Sequence, residues 1–282
     1  MTVKVAALQM RSTTSLERNI TDFEALVREA AGQGAVYVQS PEMTGALVKN
    51  RDTMREIITS HDNDALVKRA GELARELGIV VHVGSTAIAR PDGKVANRAF
   101  VFSPEGDLLA TYDKIHMFDV DLDNGESWRE SATYEPGRQS TVVDLPFGRT
   151  GLAVCYDLRF PQLFRAQALA GASILTVPAA FTRQTGEAHW HVLLRARAIE
   201  NGAWVIAAAQ GGQHEDGRET FGHSMIVDPW GRIVAEAEGD EPGVVIAEID
   251  VVQSVAARAK VPNLKNARDF TIAEADGLRS AS

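Results

Sequence analysis

The chain has a single cysteine, Cys155, among its 282 residues. One thiol excludes an intramolecular disulfide and any multi-thiolate metal site, and it fits a reducing compartment, so a cytoplasmic location is expected. Long apolar runs are missing as well. No stretch approaches the roughly 20 residues needed to span a bilayer, and the opening MTVKVAALQM alternates like a strand without a basic segment, so neither a membrane span nor a signal peptide is expected. Positive charge is scarce, with 29 Lys and Arg against 38 Asp and Glu and a net charge of −9. No basic stripe compensates, which excludes nucleic acid and anionic lipid as expected partners. Linker-like and low-complexity stretches are also absent. A single domain over residues 1–282 is therefore expected, with a tail from about residue 251 where the pattern fades.

What is present is 45% hydrophobic and ordered in two similar halves. In the first, Val3 to Leu8 alternates as a strand, and Leu16, Ile20, Phe23, Val27 and Ala30 share one helical face that stops at Gly32 and Gly34. A strand at Val36 to Gln39, a helix at Ala65 to Leu77 and hairpins over PDGK and SPEGD follow. The second half repeats the order: a strand into Cys155, a helix from Gln162 to Ala170, strand SILTVP, a helix from Glu187 to Asn201, strand WVIAAA and a hairpin over DPWGR. Helices separating strands predict an α/β fold of mixed sheets. Neither half covers both faces of its own sheet, so the two sheets are expected to pack face to face between helical layers.

Three polar residues end predicted strands: Glu42 past AVYVQSP, Lys114 past LLATYD and Cys155 after TGLAV. Open α/β sheets place ligand sites at the carboxyl ends of their strands. A carboxylate to act as base, a cation for an oxyanion and a thiol nucleophile are the functions needed to cleave an unactivated carbonyl–nitrogen bond. The Tyr156 backbone N–H, just past the nucleophile, is an expected second oxyanion donor, and Glu42 is expected to titrate well above about 4.3 so that it can protonate departing ammonia. No His or Asp cluster has zinc-like spacing, and His189 and His191, two apart, point to different helix faces, so no metal is expected. His116, beside Lys114, reads as a hydrogen-bonding loop residue.

The segments SPEMTG at 40–45, YDKIHMFD at 112–119 and AVCYDLRFP at 153–161 resemble the three signature motifs of the nitrilase superfamily of carbon–nitrogen hydrolases, and the likeness runs from about residue 3 to about residue 262. The resemblance implies a four-layer αββα sandwich. It also implies that Glu42 is general base and acid, that Lys114 stabilises the tetrahedral intermediate and that Cys155 forms a thioester. Glu130, in RESATYEPG, matches a second family glutamate that positions Lys114 and the catalytic carboxylate. No cofactor is implied, and a homodimer is.

YDLRFP resembles the amidase branch acting on deaminated glutathione and on ω-amides of α-keto acids, and residues 178–202 and 207–231 look more like the deaminated glutathione amidases. The expected reaction is hydrolysis of a non-peptide amide in a small carboxylate-bearing substrate. N-carbamoyl-amide hydrolysis, nitrile hydrolysis and a non-catalytic binding module are the alternatives, the last opposed by the intact Glu, Lys and Cys. Thr44 and Gln39-Ser40 depart from the commoner family residues. An anionic substrate calls for a cation, so Arg159, four residues past the nucleophile, is expected to turn back toward the site, with Phe181, Thr182 and Arg183 on the same rim. Arg195 and Arg197 are expected in structural or subunit-contact roles.

Overall fold

The structure is a computed structural model that describes residues 2–122, 125 and 127–274. Its first half contains β1 (Thr2–Gln9), α1 (Leu16–Gly32), β2 (Tyr37–Gln39), α2 (Arg51–Ile57), α3 (Ala65–Leu77), β3 (Val80–Ala89), β4 (Val95–Phe102) and β5 (Leu108–Asp113). A two-stranded ribbon, β6 (Asp119–Asp121) and β7 (Ser127–Arg129), leads to the second half. There follow β8 (Thr141–Leu145), β9 (Gly148–Leu152), α4 (Pro161–Leu169), β10 (Ile174–Thr176), α5 (Arg183–Asn201) and β11 (Trp204–Ala207). A second ribbon, β12 (Gly211–Gln213) and β13 (Glu219–Phe221), precedes β14 (Met225–Val227), β15 (Ile233–Glu236), β16 (Gly243–Asp250), α6 (Val252–Lys260) and α7 (Asn263–Asn266).

Two six-stranded sheets result, ordered β16-β1-β2-β3-β4-β5 and β15-β14-β11-β10-β9-β8. In each, three adjacent strands run parallel, β1-β2-β3 and β9-β10-β11, and the remaining pairs are antiparallel. Strand alternation sets the layers. Along β1, Val5 and Ala7 enter a core shared with the second sheet, while Ala6 and Leu8 face α1 and α3 with Phe23, Val27, Leu66 and Leu73. On the far side, Phe164 of α4 and Trp190, Leu194 and Ala198 of α5 cover the second sheet. The layers are helix, sheet, sheet, helix, which is the expected αββα sandwich.

Local chemistry explains the element ends. Ser15 caps α1 by accepting from the Arg18 N–H, Asp64 caps α3 through the Val67 N–H at 2.9 Å, and Gly78 ends α3 in the left-handed conformation that a Cβ disfavours. Elements not anticipated in the sequence include the two ribbons, β8, α2, capped by Asn50, and β16, which pairs with β1 along its whole length. From residue 251 the chain forms the expected short helix and, after the single turn of α7, continues without regular structure through residue 274. Helix α6 docks through buried Ser254 and Ala257, and Arg258 donates to the Asn201 carbonyl at 3.0 Å. Residues beyond 274, part of the expected tail, lie outside the described residues. Among the described residues no helix is long and apolar enough to cross a membrane.

Candidate active site

Strands β2 and β5 of the first sheet and β9 of the second deliver Glu42, Lys114 and Cys155 to one end of the sandwich. Glu42 lies in the turn after β2, Lys114 directly follows β5, and Cys155 opens a five-residue 3-10 turn after β9. Cys155 has φ 51°, a left-handed conformation rare for a residue with a Cβ, and its N–H donates to the Pro178 carbonyl at 2.9 Å. This is a sharp elbow that projects the sulfur. Gly84 of β3 lets the layers close here. A Cβ at that position would sit 2.0 Å from the Ser40 carbonyl oxygen and 2.4 Å from the Pro178 Cβ.

Lys114 is 2% exposed, and its Nζ donates to Glu42 Oε1 at 2.9 Å and to both Glu130 oxygens at 3.0 and 2.9 Å. Asn97 of β4 places its Nδ2 2.8 Å from Glu42 Oε1 and 3.2 Å from Glu130 Oε1, so one amide steadies both carboxylates. Glu42 Oε2 accepts from the Ala180 N–H at 3.0 Å, and Glu130 Oε2 accepts from the Phe118 N–H at 2.6 Å. A cation thus sits between the buried Glu42 carboxylate and the partly buried Glu130 carboxylate, with every acid oxygen engaged.

The electrostatics correct one expectation. Burial pushes the Glu42 carboxyl upward, but the Lys114 charge and hydrogen bond, aided by Cys155 and Asn97, outweigh it and hold Glu42 below its ordinary value. Burial and the Glu42 charge push the Cys155 thiol well above its ordinary value, against the opposing Lys114 charge. Burial works against the Lys114 ammonium, yet Glu130, Glu42 and Cys155 raise its pKa well above the usual lysine value. At rest the site holds a thiol, a carboxylate and an ammonium. The expectation of a Glu42 pKa raised by burial considered the desolvation and not the cation it desolvates with.

Asp157, absent from the sequence-based site, ties the signature segments together. Its buried carboxylate accepts from the Tyr112 hydroxyl at 2.7 Å, the His116 N–H at 3.1 Å and the Val154 N–H at 2.9 Å, and it meets His116 Nδ1 at 2.6 Å. The elbow carrying Cys155 and the loop carrying Lys114 therefore share one anchor, and His116 is a hydrogen-bonding loop residue whose ring also stacks on Phe160 at 3.5 Å. An Asp157→Ala protein strands those donors in the core, so urea unfolding is expected to register a loss of about 3 kcal/mol. A loss below about 1 kcal/mol would show the anchor to be dispensable.

Glu42, Lys114, Glu130, Cys155, Tyr156, Phe181 and Thr182 line a single cavity of about 330 Å³. Arg159 and Arg183 do not line it. The Arg159 guanidinium lies 5.9 Å from the Tyr156 ring and 5.4 Å from the Phe181 ring, behind those side chains, and contacts His189 Nδ1 at 3.3 Å. The turn after Cys155 is 3-10 rather than α-helical, so a residue four positions on does not return to the face of Cys155. Arg183 is the first residue of α5 and is held by Asp240 at 2.5 Å and Glu219 at 2.6 Å. Thr182 Oγ1 shares a 2.9 Å hydrogen bond with Thr185. Arg195 and Arg197 bond within the chain, to the Gly231 and Leu158 carbonyls. His191 diverges from His189 and bonds Glu236 at 2.6 Å. The atypical Thr44 and Gln39 are buried and satisfied, Thr44 by the Pro41 carbonyl at 2.7 Å and Gln39 by the Ala208 N–H at 3.2 Å.

Comparison with known proteins bears on this arrangement. The carbon-nitrogen hydrolase family profile matches residues 4–259. The chain is 42% identical over 268 residues to the deaminated glutathione amidase of Yersinia enterocolitica, covering 94% of this chain and 89% of that one. Its structure superposes on the NitFhit protein of C. elegans with a TM-score of 0.87 at 34% identity, over 95% of this chain and 65% of that one, so it spans about two thirds of that protein's length. It also resembles an amidase of Nesterenkonia sp. AN1, recorded with acrylamide added at its active-site cysteine, with a TM-score of 0.76 and 26% identity over 92% of this chain and 98% of that one. With its three signature segments gathered around one cavity, the chain belongs to the carbon–nitrogen hydrolases of the nitrilase superfamily.

Proposed function

We propose that the protein is an amidase that hydrolyses deaminated glutathione or a closely related α-keto acid ω-amide through a thioester on Cys155. The observation that carries this reading is the strained Cys155 elbow beside the buried Glu42–Lys114 pair in one cavity. The Cys155 sulfur attacks the amide carbon while its proton passes to Glu42. Because the resting thiol is a weak acid and Glu42 a weak base, this proton moves in step with carbon–sulfur bond formation rather than before it. The oxyanion that develops is met by the Lys114 ammonium and the Tyr156 N–H, where a lost donor costs about 3–4 kcal/mol in comparable sites. As the carbon–nitrogen bond breaks, the amine takes the proton from Glu42. A water molecule then gives a proton to Glu42 as its oxygen attacks the thioester, and the departing sulfur recovers the proton.

From deaminated glutathione the leaving amine is cysteinylglycine; from α-ketoglutaramate it is ammonia. A screen that measures both amines and the keto acid therefore tests the reading across these two compounds, simple amides, nitriles and N-carbamoyl amino acids. The expected result is a kcat/KM for deaminated glutathione at least about tenfold above the rest. Absence of product from every amide would overturn it and favour a binding module.

A further inference from the structure

The two arginines expected to recognise a substrate carboxylate stand outside the cavity, yet besides Lys114 three cations line it: Lys49, Arg129 and Arg218. They gather where the two small ribbons form its wall, Arg129 on β7 beside Trp128, Arg218 just before β13 and Lys49 before α2. Arg129 is consumed locally, with Nη2 2.9 Å from both Asp121 oxygens. Lys49 and Arg218 converge on one aromatic ring, at 5.5 and 5.0 Å from the Trp128 centroid. Arg218 is steadied by Asp216 at 2.9 Å, and its buried Nε has no hydrogen-bond acceptor among the described residues. Lys49 has no carboxylate within ion-pair distance among the described residues. The acids that share the cavity do not supply one: Glu219 pairs with Arg183 and Asp64 caps α3.

Two cations held against one indole repel each other, a cost the ring face offsets only in part. An anion drawn to both relieves it, and a guanidinium and an ammonium at one ring suit a carboxylate. We propose that Lys49 and Arg218, with Trp128 between the ribbons, form an anion subsite for the distal carboxylate of a peptidyl amide. This rests on the amidase reading above and names the half of the substrate that the triad leaves unrecognised.

Distance along the wall selects the substrate class. From Tyr156, next to the nucleophile, the rings run to Phe118 at 5.1 Å and on to Trp128 at 6.4 Å. Beyond the scissile carbonyl, an extended leaving group of two residues reaches roughly 7 Å along this wall. Cysteinylglycine, the leaving half of deaminated glutathione, is such a segment and ends in the glycine carboxylate. α-Ketoglutaramate stops at the amide being cleaved and has nothing to place there.

The test uses calorimetric binding of deaminated glutathione and its C-terminal glycinamide to the Cys155→Ser protein. The acid is expected to bind at least about tenfold more tightly than the amide. Adding Lys49→Ala should shrink this preference severalfold, and Lys49→Glu should abolish or reverse it; Lys49 is exposed, and an unchanged melting temperature checks the fold. Equal affinity for acid and amide, or a preference unmoved by both Lys49 substitutions, overturns the subsite. A Lys49-dependent preference in a protein whose wild type forms no product would sustain the subsite and sink the amidase reading. Turnover without any charge preference would do the reverse. Binding of neither compound overturns both.

Discussion

The Cys155→Ser protein is expected to fold as the wild type does and to lose at least about 10⁴-fold in turnover. The substitution removes almost no volume from a site that is 8% exposed and keeps the N–H donated to Pro178, so circular dichroism and melting temperature should barely move. The chemistry has no such tolerance. A serine hydroxyl is a far weaker acid than a thiol, and here burial and the Glu42 charge already oppose deprotonation, while the Lys114 cation holds the base low. A base that weak extracts the proton from sulfur only because sulfur is intrinsically nucleophilic and bonds early. Mass spectrometry of the wild type quenched during turnover should show the acyl adduct on the peptide containing Cys155, and the serine protein should show none. Near-normal turnover in the serine protein would refute a thioester route.

Glu42→Gln should separate two properties that ordinarily move together. Loss of the base is expected to reduce kcat by about 10³-fold. The same change deletes the negative charge that helps raise the Cys155 pKa and leaves the Lys114 charge that lowers it, so the thiol pKa should fall. Iodoacetamide should then modify Cys155 faster at pH 7 than in the wild type, although catalysis has nearly stopped. A glutamate with a purely structural role would slow both. In the wild type the sign for Glu42 is that of a depressed carboxylate: its basic form persists below the ordinary value of 4.5 and is lost only as pH falls through the lower folded value. The acid limb of kcat/KM should accordingly lie below pH 4.5, and a limb near neutrality would contradict the assigned resting state.

The strand ends were readable because period-two alternation stops where Glu42, Lys114 and Cys155 begin, and the layer order followed from two halves with similar patterns. The remainder depended on contacts between distant segments. Asn97 sits inside a strand and looks like any polar residue on a solvated face, yet it lies against Glu42 and Glu130. Asp157 is within a recognised motif, but its four donors come from β5, the following loop and its own turn. Arg159 was misplaced by treating a 3-10 turn as an α-helix. Arg183 was misplaced because its acidic partners, Glu219 and Asp240, lie far along the chain. Lys49 and Arg218 carried no local signal, since the ring they share belongs to an intervening ribbon.

The pairing of β16 with β1 joins Thr2 to Asp250 and Gln9 to Gly243, and Trp204 donates to the Asp250 carbonyl from the second sheet at 3.0 Å. During synthesis, then, β1 waits for β16, with one edge of its sheet open while some 230 residues emerge. Loop-closure entropy over that separation makes this a slow, late step, and until it occurs the exposed β1 edge can pair with other chains. The Cys155 elbow is formed from segments made well before then, so commitment to a lasting fold belongs to β16 rather than to the cavity.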